Sequence, residues 1–397
     1  MRAKDRTKRR SGCQQQLQRR EAQSCAEAWL VAALRCEVQG YKCTTSVLLQ
    51  ILFWAASHAA SITAACCAWA EGPGDQTIRD AIRGFLPKRL STLERRLHAA
   101  LTDHLPRRLR RGARRLAIDW HQIPYHGSPL KSENELRRTK PQQGTTSFHV
   151  YATACMVNHG ERYTVALTHV SKNDTNQSVL LRLLEQIERK SLRIKVLLMD
   201  RQFFTAAVIK LLQSKNIPFV MPVVVRGRKP KAPRPSTGLR ALQEKAKPGW
   251  YAHSQKHGAD VVNYSVCVAW KVVTHPRKKT RTRKVMLFAC WKIRSGPNEI
   301  RELYRRRFGI EASYRQLKQA RIRTSTRDPL VRLFYVGLAL VLRNVWVWLC
   351  ALKDTASSDQ PRSLLHARLT FIKLLCWLSV QLSTPAKCRD STTIGKY

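Results

Sequence analysis

Hydrophobic positions change rhythm near residue 107. Before it the spacing is helical. Residues 1–44 are polar and basic, with a helical pattern only near 25–37, and predict a partly ordered arm. Residues 46–70 predict a helix, Gly72-Pro73-Gly74-Asp75 breaks it, and 76–85 resumes with Asp75 or Thr77 as N-cap. Two helices around a glycine-containing break form either a plain helical hairpin or a helix-turn-helix-like unit. Arg79, Arg83, Lys88, Arg89, Arg95 and Arg96 crowd this stretch.

Beyond 107 short apolar runs alternate with amphipathic helices, an α/β pattern. Leu116-Ala117-Ile118 reads as a buried strand ending in Asp119. Segments 148–157 and 163–170 read as strands joined by a turn at Asn158-His159-Gly160. Asp174 or Thr175 caps a helix whose Val179, Leu180, Leu183, Leu184 and Ile187 share a face. Residues 196–199 form another apolar strand, ending in Asp200, followed by a helix over 205–215 and a strand over 217–225. Residues 226–284 differ in texture, rich in Lys, Arg and Pro up to 247 and alternating over 261–273; they predict a basic, β-rich insertion. A strand over 285–293 and a long helix from Pro297 past Lys318 complete the pattern. The division expected is therefore 1–112 helical, 113–225 and 285–352 as two parts of one core, 226–284 inserted, and 353–397 a tail.

Charge adds a partner to this picture. With 72 Lys+Arg against 26 Asp+Glu the chain carries a formal +46, far more than solubility needs, and points to a polyanion. Twelve scattered cysteines without a CxxC pair predict reduced thiols rather than a disulfide framework or zinc site. The basic N-terminus leads into a Gln/Arg-rich stretch without an apolar signal core, so a cytoplasmic, nucleoid-associated protein is expected. The apolar segments 47–70 and 330–352 approach membrane-spanning length, but Gln50, Ser57 and His58 interrupt the first and Arg332, Arg343 and Asn344 the second. Buried helices, and no membrane partner, are expected.

In so basic a chain, acids inside apolar segments stand out. Asp119 and Asp200 each close an apolar strand, and the carboxyl ends of strands are where α/β sheets collect ligands. A lone strand-end aspartate is usually a cap or ion-pair partner; two on adjacent strands would repel unless bridged by a cation, for which oxygen ligands favour Mg²⁺ or Mn²⁺. A third acid, Glu311, lies in a segment where Tyr304, Arg307, Glu311, Tyr314, Arg315 and Lys318 recur at helical spacing, with Leu303, Ile310 and Leu317 as an apolar stripe beside them. The bland reading is a solvated face with i, i+4 pairing of Glu311 to Arg307 or Arg315. The alternative is a phosphate cradle, in which guanidinium groups grip phosphate and a ring stacks on a base.

Tyr304, Arg307, Glu311 and Lys318 satisfy the pattern Y-(2)-R-(3)-E-(6)-K. Together with LAIDWHQIPYHG around Asp119 and VLLMDRQFF around Asp200, they make roughly 113–350 resemble the DDE transposases of the insertion-sequence-4 type. The resemblance implies a ribonuclease-H-like mixed sheet with flanking helices and a β-rich insertion between the second Asp and the Glu; the helical N-terminal region lies outside it and is expected to bind DNA from its basic helix pair alone. The resemblance also implies that Asp119, Asp200 and Glu311 hold two Mg²⁺ ions, with Mn²⁺ as a substitute. Tyr304, Arg307 and Lys318 would hold the transposon end, Arg306 or Arg315 would add phosphate contacts, and a homodimer would join two ends. Three rivals remain: a nuclease of the same fold without strand transfer, a DNA-binding derivative without catalysis, and, from the two apolar segments, a membrane protein.

Overall fold

The computed structural model describes residues 17–69, 71–128, 136–158, 162–229, 231, 234–257, 260–275, 280–352, 369–379 and 391–392. The expected arm therefore falls outside the described residues as far as residue 16, as do most of the 158–160 turn and most of the tail.

The N-terminal region is helical: α1 (Arg19–Leu34), α2 (Thr45–Ser57), α3 (Ile62–Cys67), α4 (Asp75–Phe85), α5 (Leu90–Thr102) and α6 (Arg107–Arg111). The helix expected over 46–70 is two helices. Ala59 takes a left-handed φ of 45°, and Ser61 opens α3 by accepting a hydrogen bond from the Ala64 N–H at 3.1 Å. Gly74 is the N-cap of α4, and Asp75 sits in its first turn, accepting from the Thr63 hydroxyl at 2.8 Å.

Among the described residues, nine strands make one mixed sheet. In chain order they are β2 (Arg114–Pro124), β3 (Arg137–Gln142), β4 (Thr145–Met156), β5 (Thr164–Val170), β6 (Ile194–Met199), β7 (Phe219–Pro222), β8 (Gly249–His257), β9 (Asp260–His275) and β10 (Thr280–Trp291). A two-residue pair, β1 (Leu17–Gln18) with β11 (Ser391–Thr392), stands apart. The spatial order is β3-β4-β2-β6-β7-β10-β9-β8, with β5 also on β4. The β2–β6 and β6–β7 pairs are parallel and every other pair in the sheet is antiparallel. Parallel neighbours need a covered crossover. Helix α7 (Asn176–Arg189), capped by Thr175, joins β5 to β6, and α8 (Ala206–Ser214), capped by Thr205, joins β6 to β7. The order β5-β4-β2-β6-β7 is that of a ribonuclease-H-like sheet.

The strands expected as an insertion continue this sheet, because β10 pairs with β7 from Phe288↔Pro222 to Trp291↔Phe219. Within that stretch lies a helix the pattern did not predict, α9 (Gly238–Lys245). Strand β3 was likewise not predicted: its RRTKPQ sequence lacks an apolar face, and it is held by a tight turn in which Gln143 and Gly144 both adopt positive φ.

Pleating sorts the core. Leu116 and Ile118 of β2, with Leu197 and Met199 of β6, pack under α7 and α8. Ala117, Val196, Leu198 and Val220 face the opposite side, where they meet Ile300 and Tyr304 of α10 (Pro297–Arg305) and Ile310 and Tyr314 of α11 (Gly309–Ala320). The N-terminal helices, α12 (Pro329–Leu352) and α13 (Phe371–Ser379) form a second core that reaches the sheet at Tyr151 and Leu167. Gly337 permits the close crossing of α12 on α5, since a Cβ there would lie 2.3 Å from Leu97 Cδ2. Among the described residues, α12 is the one helix long and apolar enough to cross a membrane, and 89% of its apolar window is buried within the fold. Its polar residues are tied in: Arg343 Nε donates to Gln316 Oε1 at 2.8 Å, and Asn344 Nδ2 donates to the carbonyls of Leu101 and Thr164 while its Oδ1 accepts from the Thr164 N–H.

Candidate active site

Strand register brings the first two acids together. In the parallel β2–β6 pair Ile118 lies opposite Met199, so Asp119 and Asp200 are the next residues on adjacent strands. Alternation turns both toward the face covered by α10 and α11, because Ala117 and Leu198, two residues earlier on each strand, belong to that side of the core. Asp119 is not at a strand end, as expected, but in the middle of β2, which runs on to Pro124 against β4 after β6 has stopped. The position is nonetheless a sheet boundary: past Met199 the chain leaves β6, and Asp200 caps a short 3-10 turn, Arg201–Phe203. A cavity of about 400 Å³ lined by Asp200, Arg201, Gln202, Pro222 and Val224 opens beside it.

The helix expected to run from Pro297 past Lys318 is interrupted by a 3-10 turn at Arg306–Phe308. The tighter turn breaks the expected common face into two. Tyr304, Arg307 and Tyr314 are buried, whereas Glu311, Arg315 and Lys318 are exposed; Arg306 is exposed too. Ile310 and Leu317 of the expected apolar stripe are fully buried and seat α11 on the core.

Arg307 occupies the centre. Its side chain is 8% exposed, and one nitrogen donates to Asp119 Oδ2 at 2.8 Å while the other donates to Glu311 Oε1 at 3.2 Å. Its Nε–H has no partner among the described residues. Burial disfavours the guanidinium charge, but Tyr304, Asp119, Asp200 and Glu311 around it more than offset this and raise its pKa. Asp119, whose Oδ1 also accepts from the Trp120 N–H at 2.9 Å, is pushed up to about 6: burial is the main cause and Asp200 adds to it, against the opposing pull of Arg307 and that N–H. Two neighbouring, partly desolvated carboxylates beside one guanidinium form a site that favours added positive charge.

The donor set is all oxygen, which fits a hard divalent cation. Among the described residues, however, no three His, Cys, Asp or Glu side chains come close enough to share one metal ion. Glu311 instead turns to Arg307, with its side chain 51% exposed. The i, i+4 pairing weighed as the bland reading is thus present, and the same guanidinium also grips Asp119, 188 residues away in the chain.

Tyr304 is pressed against Phe288, with ring centroids 5.2 Å apart, and is 5% exposed, so its ring has no open face for stacking on a base. Its hydroxyl stands beside Arg307. The residue that sequence reasoning left without a role is Tyr314. Its hydroxyl donates to the Asp119 carbonyl at 2.8 Å and lies 2.9 Å from the Thr153 hydroxyl on β4, locking α11 to the strand that carries the first acid. Helical spacing marked Tyr314 as a neighbour of Glu311, but nothing local showed that it reaches a backbone carbonyl across the sheet. A Tyr314→Phe chain is expected to lose about 1–3 kcal/mol in urea denaturation, because it leaves a buried carbonyl and hydroxyl without that partner. An unchanged midpoint and slope would refute this bracing role.

Residues 110–344 match the family model of the transposase DDE domain. The chain belongs to this transposase family. Among solved structures, the transposase fold is similar to the piggyBac transposase synaptic complex with hairpin DNA, with a TM-score of 0.53 and 12% sequence identity over 93% of this chain and 80% of that one. At that identity the likeness speaks to the fold, a ribonuclease-H-like mixed sheet with flanking helices. No curated protein sequence matches the chain.

Proposed function

We propose that the chain cleaves DNA at the ends of a mobile element and joins those ends to target DNA, as a transposase of the insertion-sequence-4 type. The observation that carries this is the register pairing that sets Asp119 beside Asp200 under the Glu311-bearing helix, with Arg307 linking the first and third acids. Asp119, Asp200 and Glu311 would hold divalent cations, two Mg²⁺ or Mn²⁺, with Glu311 turned from Arg307 to complete the set. When bound, such ions activate a water or 3′-hydroxyl and stabilise the leaving oxygen in phosphoryl transfer. The protein side chains orient and exclude. Tyr314 fixes the backbone at Asp119, burial keeps its carboxylate poorly hydrated, and Arg307, once released by Glu311, offers its unpaired Nε–H to a phosphate oxygen. Exposed Lys318, Arg315 and Arg306 flank the site as phosphate contacts, and Tyr304 supports Arg307 from beneath.

The same reading assigns residues 1–112 to DNA binding, 113–225 and 285–352 to the catalytic core, and 226–284 to an insertion that widens the basic surface; two ends joined in concert call for a homodimer. The piggyBac neighbour was solved as a synaptic complex with hairpin DNA, which supports DNA as the partner here. The test is to incubate the protein with Mg²⁺, a pre-cut element end and a supercoiled plasmid. Integration products are expected; hydrolysis without joining would leave a nuclease of the same fold.

A further inference from the structure

A second cationic site lies further along β2. Between the C-terminal half of that strand and the 321–328 loop joining α11 to α12 is a cavity of about 370 Å³, lined among others by Ile123, Tyr151, Arg321, Arg323 and Arg332. Among the described residues, no Asp or Glu lines it. Arg332 is held in place by donating to the carbonyls of Thr326 and Thr324. Arg321 is half-buried and its charge is disfavoured first by that burial, then by Arg332 and Arg323 beside it, with the neighbouring Tyr151 hydroxyl as a counterweight. Arg321 and Arg323 thus converge on the cavity with no carboxylate paired to either among the described residues, an arrangement that an anion would relieve.

An independent observation points to a ligand. Tyr151, which lines this same cavity, is fully buried, yet its hydroxyl has no hydrogen-bond partner among the described residues. A buried hydroxyl left unpaired costs about 1–3 kcal/mol, so a group that accepts from it is expected. The loop contributes the hydroxyl-bearing Thr324 and Ser325. On its other side a cavity of about 360 Å³ shares Arg323, Thr324 and Ser325 and adds Arg79 and Arg83 of α4.

We propose that the Tyr151–Arg321–Arg323 cavity seats a phosphate of the DNA backbone, on the same molecule whose scissile phosphate lies at Asp119. This rests on the function proposed above. Ile123 stands four residues beyond Asp119 on one continuous strand, a separation of about 13 Å. That is a span of a few nucleotides of DNA backbone, so one short duplex reaches both positions. Arg321 and Lys318 both act on His121, which sits between the two positions, so the positive field is continuous from one to the other.

The test measures binding of an element-end duplex to the full-length protein in EDTA, by fluorescence anisotropy over a salt series, for Arg323→Gln, Arg321→Gln and Tyr151→Phe. Each arginine variant is expected to bind about three- to tenfold more weakly and to lower the salt slope by about one. Tyr151→Phe is expected to weaken binding about threefold or more while the free protein melts at the same temperature or higher, since it removes an unpaired buried hydroxyl. Wild-type affinity and slope in Arg323→Gln and Tyr151→Phe would overturn the proposal, whatever Arg321→Gln does to folding. A thermal shift with inorganic phosphate that these variants abolish, without any change in DNA binding, would also overturn it by marking a free-anion site. Failure of integration in the plasmid assay, with the variants still weakening DNA binding, would remove the transposition reading and leave the phosphate seat standing.

Discussion

A Glu311→Gln chain is expected to bind an element-end duplex like the parent and to cut it on the order of 10³-fold more slowly. Glutamine keeps the shape and an oxygen that can accept from Arg307, so the protein should fold as before; what disappears is the negative charge proposed to complete a cation site with Asp119 and Asp200. The side chain is 51% exposed, and exposed ion pairs contribute little to stability, so the effect on folding is expected to stay within about 1 kcal/mol. Cleavage and binding measured on one preparation decide the matter. Parent-like cleavage by this variant would remove Glu311 from the site.

The second large effect concerns Arg307. Its pairing with Asp119 is screened little by water, the two side chains being 8% and 16% exposed. Removing one partner of such a pair leaves a buried charge uncompensated, and a second carboxylate, Asp200, lies beside it. Arg307→Ala is therefore expected to cost about 3–5 kcal/mol in metal-free urea denaturation, nearly all of it through Asp119 rather than the half-exposed Glu311. Mg²⁺ should recover part of that loss, because a ligand bound only by the folded state stabilises it. A cost below about 1 kcal/mol, or equal Mg²⁺ effects on variant and parent, would contradict the balance described here.

Much of this organisation was legible in the residues because its signals are local. Alternation and apolar runs marked β2, β4, β5 and β6, and of the two caps offered for α7, Asp174 and Thr175, it is Thr175 that accepts the first-turn N–H. The acids Asp119 and Asp200 were conspicuous because few other acids interrupt the apolar runs of so basic a chain. The parts that could not be read depend on distant partners. Strand β3 is polar on both faces and exists because β4 offers it an edge, and α9 sits in a Lys/Arg/Pro-rich stretch whose composition conceals it. The bend at Arg306–Phe308 also escapes a periodicity argument. A helical wheel continued through it places Tyr304 and Glu311 on one face, whereas the tighter turn buries the first and exposes the second. Most telling is Arg307, whose spacing to Glu311 was visible but whose grip on Asp119 spans 188 positions.

The ladder between β7 and β10 bears on how small this protein could be made. Trimming away the stretch that follows β7 would strip a row of main-chain donors and acceptors from a strand buried mid-sheet, not clip an ornament from the surface. Such a minimal version would present a raw, sticky rim suited to pairing with its own copies. Any compact derivative would have to keep β10, or a substitute strand laid along that rim.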